Sequence, residues 1–157
     1  MGHDRRCANT HSMKTIHKSV LIWFSAQEMF DLVTNVPSYP QFLPWCDNAR
    51  VVHTHPDGVT AEIGMALGNF RKSFTTRNLH TPGREVRVQL IDGPFKHLDG
   101  VWLFEPMGEE RACRVDLKLH YSFDSMFGVL IGPLFDRIAA TLVDAFVKRA
   151  EQVYAPH

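Results

Sequence analysis

Residues 115–146 read VDLKLHYSFDSMFGVLIGPLFDRIAATLVDAF, and two periods meet in this stretch. Val115, Leu117, Leu119, Tyr121 and Phe123 alternate with Asp116, Lys118, His120 and Ser122, the pattern of a strand with one buried and one wet face. Beyond Asp124 the spacing becomes helical. Phe127, Leu130, Ile131, Leu134, Phe135, Ile138, Leu142, Phe146 and Val153 form one stripe, and Asp136, Arg137, Asp144, Lys148, Arg149 and Glu151 take the other side. At about 1.5 Å per residue such a helix reaches roughly 45 Å, enough to cross a whole sheet.

Upstream, the period of two extends from Ala49 to Phe123. Val59, Ala61, Ile63, Met65 and Leu67 alternate with Thr60, Glu62, Gly64, Ala66 and Gly68. Turn signals separate the runs at Pro56-Asp57-Gly58, Gly68-Asn69, Pro82-Gly83, Asp92-Gly93-Pro94, Asp99-Gly100 and Met107-Gly108. This predicts a meander of antiparallel strands. Before it, Lys14 to Phe24 reads as a strand. Ser25 with Glu28 reads as a capping box opening a short helix that ends near Asn35. Pro37, Pro40 and Pro44 forbid a long helix next, so the apolar segment Val36 to Cys46 is expected to pack as a turn or short second helix. The order predicts an α+β fold in which a curved antiparallel sheet wraps a long C-terminal helix, the helix-grip architecture.

Composition agrees with one globular domain. The 157 residues are 45% hydrophobic and 22% charged, and 17 basic residues balance 17 acidic ones. A net charge of zero argues against nucleic-acid binding by bulk charge, and no DNA partner is expected. Residues 1–12 are polar and aperiodic and are expected to be a disordered tail or a remnant of cloning, with residues 13–157 as a single domain. The longest uninterrupted apolar stretch, Met126 to Phe135, is too short for a bilayer span, which needs about 20 residues, and no secretory signal is visible. Cys7, Cys46 and Cys113 form no zinc pattern or disulfide framework. A cytoplasmic setting, peripheral to the inner membrane at most, is expected.

A gripped helix tends to leave a cavity against its sheet. Gly128 and Gly132, one turn apart and followed by Pro133, leave room on one helix face, with Leu134, Phe135, Ile138 and Leu142 as candidate lining. The same glycines also fit simple close packing with a kink. Tyr39, Phe42, Leu43 and Trp45 among prolines read as a lid over a flat ligand, or as a plug at one end of the sheet.

Chemistry-bearing clusters are sparse. His53 and His55 share a strand face but lack a third ligand, so no metal is expected. Cys46 beside Asp47 reads as a structural thiol. Asp92, His97 and Asp99 are the available acid or base candidates, although turn composition alone explains the aspartates. No nucleophile or phosphate-loop motif occurs, and no catalytic residue or cofactor is assigned. Arg71, Lys72, Arg77, Arg84 and Arg87 face only Glu85 within residues 71–87. Arg71, Arg77 and Arg87 are thus candidates for RNA or anionic-headgroup contact, against a plain solvated face. Lys72 shares parity with Phe70 and Phe74 and is expected to point inward, where it needs a polar partner.

Several segments together, Val36 to Cys46, Lys72-Ser-Phe-Thr-Thr-Arg-Asn78, Asp92-Gly-Pro-Phe-Lys-His-Leu98 with Trp102, and Gly132-Pro-Leu-Phe-Asp136 with Ala145 to Ala150, resemble the START-like polyketide cyclase/dehydrase-type family. Within it they are most similar to the ribosome-association toxin (RatA) and coenzyme Q-binding (Coq10) group. The resemblance spans about Met13 to Tyr154. It implies a helix-grip fold with a hydrophobic cavity, lined by Tyr39, Phe42, Trp45, Phe74, Phe95, Trp102, Leu134, Phe135, Ile138 and Leu142. It also implies one of three functions. The first is non-enzymatic binding of a ubiquinone-type isoprenoid quinone in support of respiration, with transient contact to a membrane surface. The second is binding of the large ribosomal subunit, blocking subunit association. The third is a polyketide cyclase or dehydrase, for which no acid/base constellation is visible.

Overall fold

A computed structural model describes residues 13–109 and 111–154, so the expectation for residues 1–12 lies outside the described residues. The elements follow the predicted order: β1 (Lys14–Ile22), α1 (Ala26–Thr34), a 3-10 helix (Val36–Gln41), β2 (Cys46–His55), β3 (Gly58–Leu67), β4 (Phe70–Thr81), β5 (Glu85–Asp92), β6 (Phe95–Pro106), β7 (Cys113–Phe123) and α2 (Ser125–Val153).

The Ser25–Glu28 capping box forms in both directions and starts α1, whose buried face is Met29, Phe30, Leu32 and Val33. The prolines then tighten the backbone into the 3-10 helix. Tyr39 fastens it by donating its phenolic hydrogen to the carbonyl of Val33.

The sheet has seven strands in the order β1-β7-β6-β5-β4-β3-β2, with every neighbouring pair antiparallel. Register shifts fall in β2, between Thr75 and Thr76, and between Phe95 and His97. Such bulges bend and twist a sheet, and here they accompany its curvature around α2.

α2 is one helix that contains Pro133. The helix runs on through it from Ser125 to Val153. The rung that proline removes belongs to the carbonyl of Val129, a residue on the exposed side where water reaches the backbone.

The core falls into two clusters. One gathers α1, Val36, Leu43, Trp102 and Phe104 around Val143, Phe146 and Ala150 of α2. The other gathers Met65, Leu67, Phe95, Leu98, Tyr121 and Phe123 around Ile131, Phe135, Ile138 and Ala139. Trp45 and Phe74 pack against both.

Candidate functional site

Where the two clusters fail to meet, a cavity of about 120 Å3 opens between the sheet and α2. Its volume is ring-sized: an engineered apolar cavity of about 150 Å3 takes up benzene. Tyr39, Leu43 and Trp45 close one side, Ile63, Phe74, Val88, Leu98, Trp102 and Leu117 supply the concave sheet face, and Phe135, Ile138, Ala139, Leu142 and Phe146 supply the helix.

Of the candidate lining residues, Tyr39, Trp45, Phe74, Trp102, Phe135, Ile138 and Leu142 therefore meet at one cavity. Phe42, Phe95 and Leu134 do not. Phe42 packs edge-on against Phe146 at 5.0 Å with the Arg149 guanidinium over its ring at 5.2 Å, and so plugs the end from outside. Phe95 stacks on Phe123 at 4.9 Å and meets Phe135 at 5.1 Å, which buries it inside the second cluster. Leu134 is 43% exposed. It precedes Phe135 by one residue, about 100° of helix turn, and that rotates it off the gripped face. Gly128 and Gly132 take no part in the lining: a Cβ on Gly128 would touch only Phe123, and one on Gly132 would meet nothing within 4 Å.

The polar groups of the cavity are few. Thr76 and Asn78, both nearly sealed from solvent, sit two residues apart on β4 and face inward. Thr76 Oγ1 donates to Asn78 Oδ1 at 2.7 Å. The sequence reading missed this pair, although both residues share parity with inward-facing Phe74. Tyr39 also lines the cavity; its hydroxyl donates to the Val33 carbonyl, and burial raises its pKa well above the usual phenol value. No Asp, Glu, His, Lys or Arg lines the cavity among the described residues.

The acid/base candidates lie elsewhere. His97 and Asp99 bond to each other at 2.5 Å, both half-exposed, while their neighbours Leu98 and Gly100 are the ones that face the cavity. Alternation along β6 thus puts the pair on the outer face, correcting their candidacy as cavity catalysts. His53 and His55 stand with ring centroids 6.3 Å apart, and His55 is bonded to Thr60 at 2.9 Å. Cys46 is buried with its thiol directed to the Asn48 carbonyl. Burial first, then Asp47, pushes its pKa up to about 11, so it stays a protonated thiol.

The basic surface is a set of ion pairs. Arg71, Arg77 and Arg87 share the convex face, but each is paired with a carboxylate: Arg71 with Asp47 at 2.7 Å, Arg77 with Asp57 at 2.5 Å and Arg87 with Glu85 at 2.5 Å. Their charges are locally cancelled rather than pooled. Lys72 is exposed near the end of the sheet, with its ammonium 5.8 Å from the Phe127 ring centre, so it needs no buried partner.

A family model described as polyketide cyclase/dehydrase and lipid transport matches residues 22–147. The chain is 41% identical over 143 residues to the ribosome association toxin RatA of Vibrio cholerae, covering 90% of this chain and 99% of that one. It is 29% identical to the mitochondrial coenzyme Q-binding protein COQ10 homolog B of Xenopus laevis, over 87% of this chain and 58% of that one. Among solved structures, the Zhui aromatase/cyclase from a Streptomyces species superposes with a TM-score of 0.77 at 13% identity, over 90% of this chain and 95% of that one, a likeness of fold alone.

Proposed function

Because the chain belongs to the polyketide cyclase/dehydrase and lipid transport family, we propose that it is a non-enzymatic carrier of a lipophilic molecule, of the ubiquinone type, held between sheet and helix. The observation that carries this reading is the cavity itself: apolar on nearly every side, with a single hydrogen-bonded polar pair. Apolar burial at about 25 cal/mol per Å2 supplies affinity, and a few polar groups set orientation. The volume is on the scale of a bare ring, so a ubiquinone-type head requires the lining to yield, and the polyprenyl tail has no room inside. The tail would lie outside, along the exposed Met126, Val129, Leu130 and Leu134 of α2. Among the described residues the lining holds no carboxylate, imidazole or amine, and its one phenol, Tyr39, is engaged with Val33, which supports binding over turnover, since general acid/base catalysis needs a free titrating group in reach of substrate. The reading places the protein in the cytoplasm, with transient contact to the membrane that supplies its ligand.

Native mass spectrometry of protein purified from cells, with organic extraction, tests it. A co-purifying isoprenoid quinone is the expected result. Protein that stays empty in cells rich in quinone would overturn the reading.

A second reading is association with the large ribosomal subunit, favoured by the name of the 41% identical relative. It uses a surface and is compatible with an occupied cavity. Co-sedimentation with subunits, repeated with charge reversal at Arg71, Arg77 and Arg87, tests it. Because those arginines are already paired with acids, reversal of all three is expected to weaken binding only where the subunit displaces their partners. Unchanged co-sedimentation assigns the contact to another surface, and absent co-sedimentation removes the reading.

A further inference from the structure

We propose that Asn78, oriented by Thr76, makes the cavity selective for a neutral ring-sized molecule bearing a carbonyl-type acceptor; this rests on the carrier reading above.

A threonine hydroxyl has one hydrogen to give, and here it goes to Asn78 Oδ1. That bond turns the amide oxygen toward Thr76 and leaves the amide nitrogen, with two hydrogens, pointing elsewhere. Asn78 Nδ2 has no hydrogen-bond partner among the described residues, yet no buried side-chain nitrogen or oxygen among them is left both sealed and unpartnered. The nitrogen is therefore open to a space, and we assign that space to the cavity that Asn78 lines.

The Tyr39 hydrogen is spent on Val33. The indoles of Trp45 and Trp102 carry N–H donors and no acceptor. The Thr76 and Asn78 oxygens keep lone pairs, but the two hydrogens of the Asn78 amide are the donors this polar pair leaves unspent. A purely apolar guest would strand the Asn78 amide in a dry site, whereas a carbonyl oxygen would satisfy it. With no cationic side chain in the lining, nothing neutralises an anion, so the fitting guest is neutral.

The backbone holds Asn78 in place. Arg77 Nη1 donates to the Asn78 carbonyl at 3.1 Å. Gly58 lies against that same carbonyl so closely that a Cβ there would sit 1.9 Å from the oxygen. Asn78 is thus a positioned donor, preset before a ligand arrives.

The test compares acetophenone with its carbon isostere α-methylstyrene, which replaces the carbonyl oxygen by a methylene of similar shape. Calorimetric titration of the delipidated full chain gives both affinities. The wild type is expected to prefer the ketone by about tenfold, the magnitude of one net hydrogen bond. Asn78→Leu should bring the ratio close to one while still binding the hydrocarbon. Thr76→Val, which keeps shape and frees the amide to rotate, should give an intermediate ratio, and it serves if Asn78→Leu does not fold. A wild-type ratio near one, or a ratio unchanged in the variants, overturns the role of Asn78 and leaves the carrier reading standing. Failure of the wild type to bind either probe overturns both.

Discussion

Tyr121 donates its phenolic hydrogen to Asp136 Oδ1 at 2.6 Å, and the other oxygen of that carboxylate accepts from Lys14 at 2.8 Å. Three elements, β7, α2 and the edge strand β1, are tied at one acid. The Tyr121 phenol is buried, and burial together with Asp136 raises its pKa well above the usual phenol value, so it remains a donor at any physiological pH.

Removing that hydroxyl tests the tie. A bond to an ionised acceptor contributes about 1.5–3 kcal/mol, and hydration of Asp136, 40% exposed, lowers the figure here. Tyr121→Phe is expected to lose about 1–2 kcal/mol in urea denaturation with an unchanged m-value. An unaltered midpoint would show that the contact does not stabilise the fold.

Acid stability should depend on Glu28. Arg111 bonds both of its oxygens, at 2.8 and 2.5 Å, and the Ser25 N–H adds a third bond at 2.8 Å. Arg111 first, then Ser25, hold the Glu28 pKa below the usual carboxylate range, with burial opposing them. A pKa depressed by folding stabilises at pH values above that of the unfolded carboxyl, about 4.3, and the contribution is lost as pH falls through the folded value. Thermal melts from pH 7 to pH 3 should therefore show a steeper fall for the wild type than for Glu28→Gln. Parallel curves would rule out this linkage.

Filling the cavity separates binding from folding. Ala139 lines it from α2, and Ala139→Leu places a larger apolar side chain in the open space. Cavity filling commonly adds about 0.5–2 kcal/mol, or roughly 1–8 °C in Tm for a chain of this size. The variant is expected to melt no lower than the wild type and to lose acetophenone binding. A variant that still binds with wild-type affinity would put the ligand elsewhere.

Gly58→Ala should damage the site indirectly. Gly58 has φ +152°, and its missing Cβ makes room for the Asn78 carbonyl. Backbone strain at such a position costs about 1–3 kcal/mol, and the clash with β4 adds to it. Differential scanning calorimetry should show a lowered Tm. Wild-type stability would mean that β3 shifts away without penalty.

The elements were legible because their periods differ. Alternation in β3 and β7, the Ser25–Glu28 box and the helical stripe of α2 each contain their own signal within a short window. The site was only half legible. Phe135 and Ile138 were placed by period, but Met126 to Phe135 is apolar on every side, so nothing in that stretch told exposed Leu134 from buried Ile131. Thr76 and Asn78 escaped notice because a polar residue in a strand ordinarily marks the wet face. The pairing of the arginines was only partly legible: Glu85 lies two residues from Arg87, but the acids that meet Arg77 and Arg71 lie 20 and 24 residues away, at Asp57 and Asp47.

The strand order also dictates a sequence of events in time. From β2 to β7 every pairing joins consecutive strands, so each hairpin can zip as soon as its turn closes. β1 alone pairs across the length of the chain, with Thr15 meeting His120 from 105 residues away. The entropy of closing so long a loop makes that docking a late event on the folding path. Stopped-flow kinetics of substitutions in β1 should show nearly unchanged refolding rates and faster unfolding, the mark of contacts that form after the barrier has been crossed.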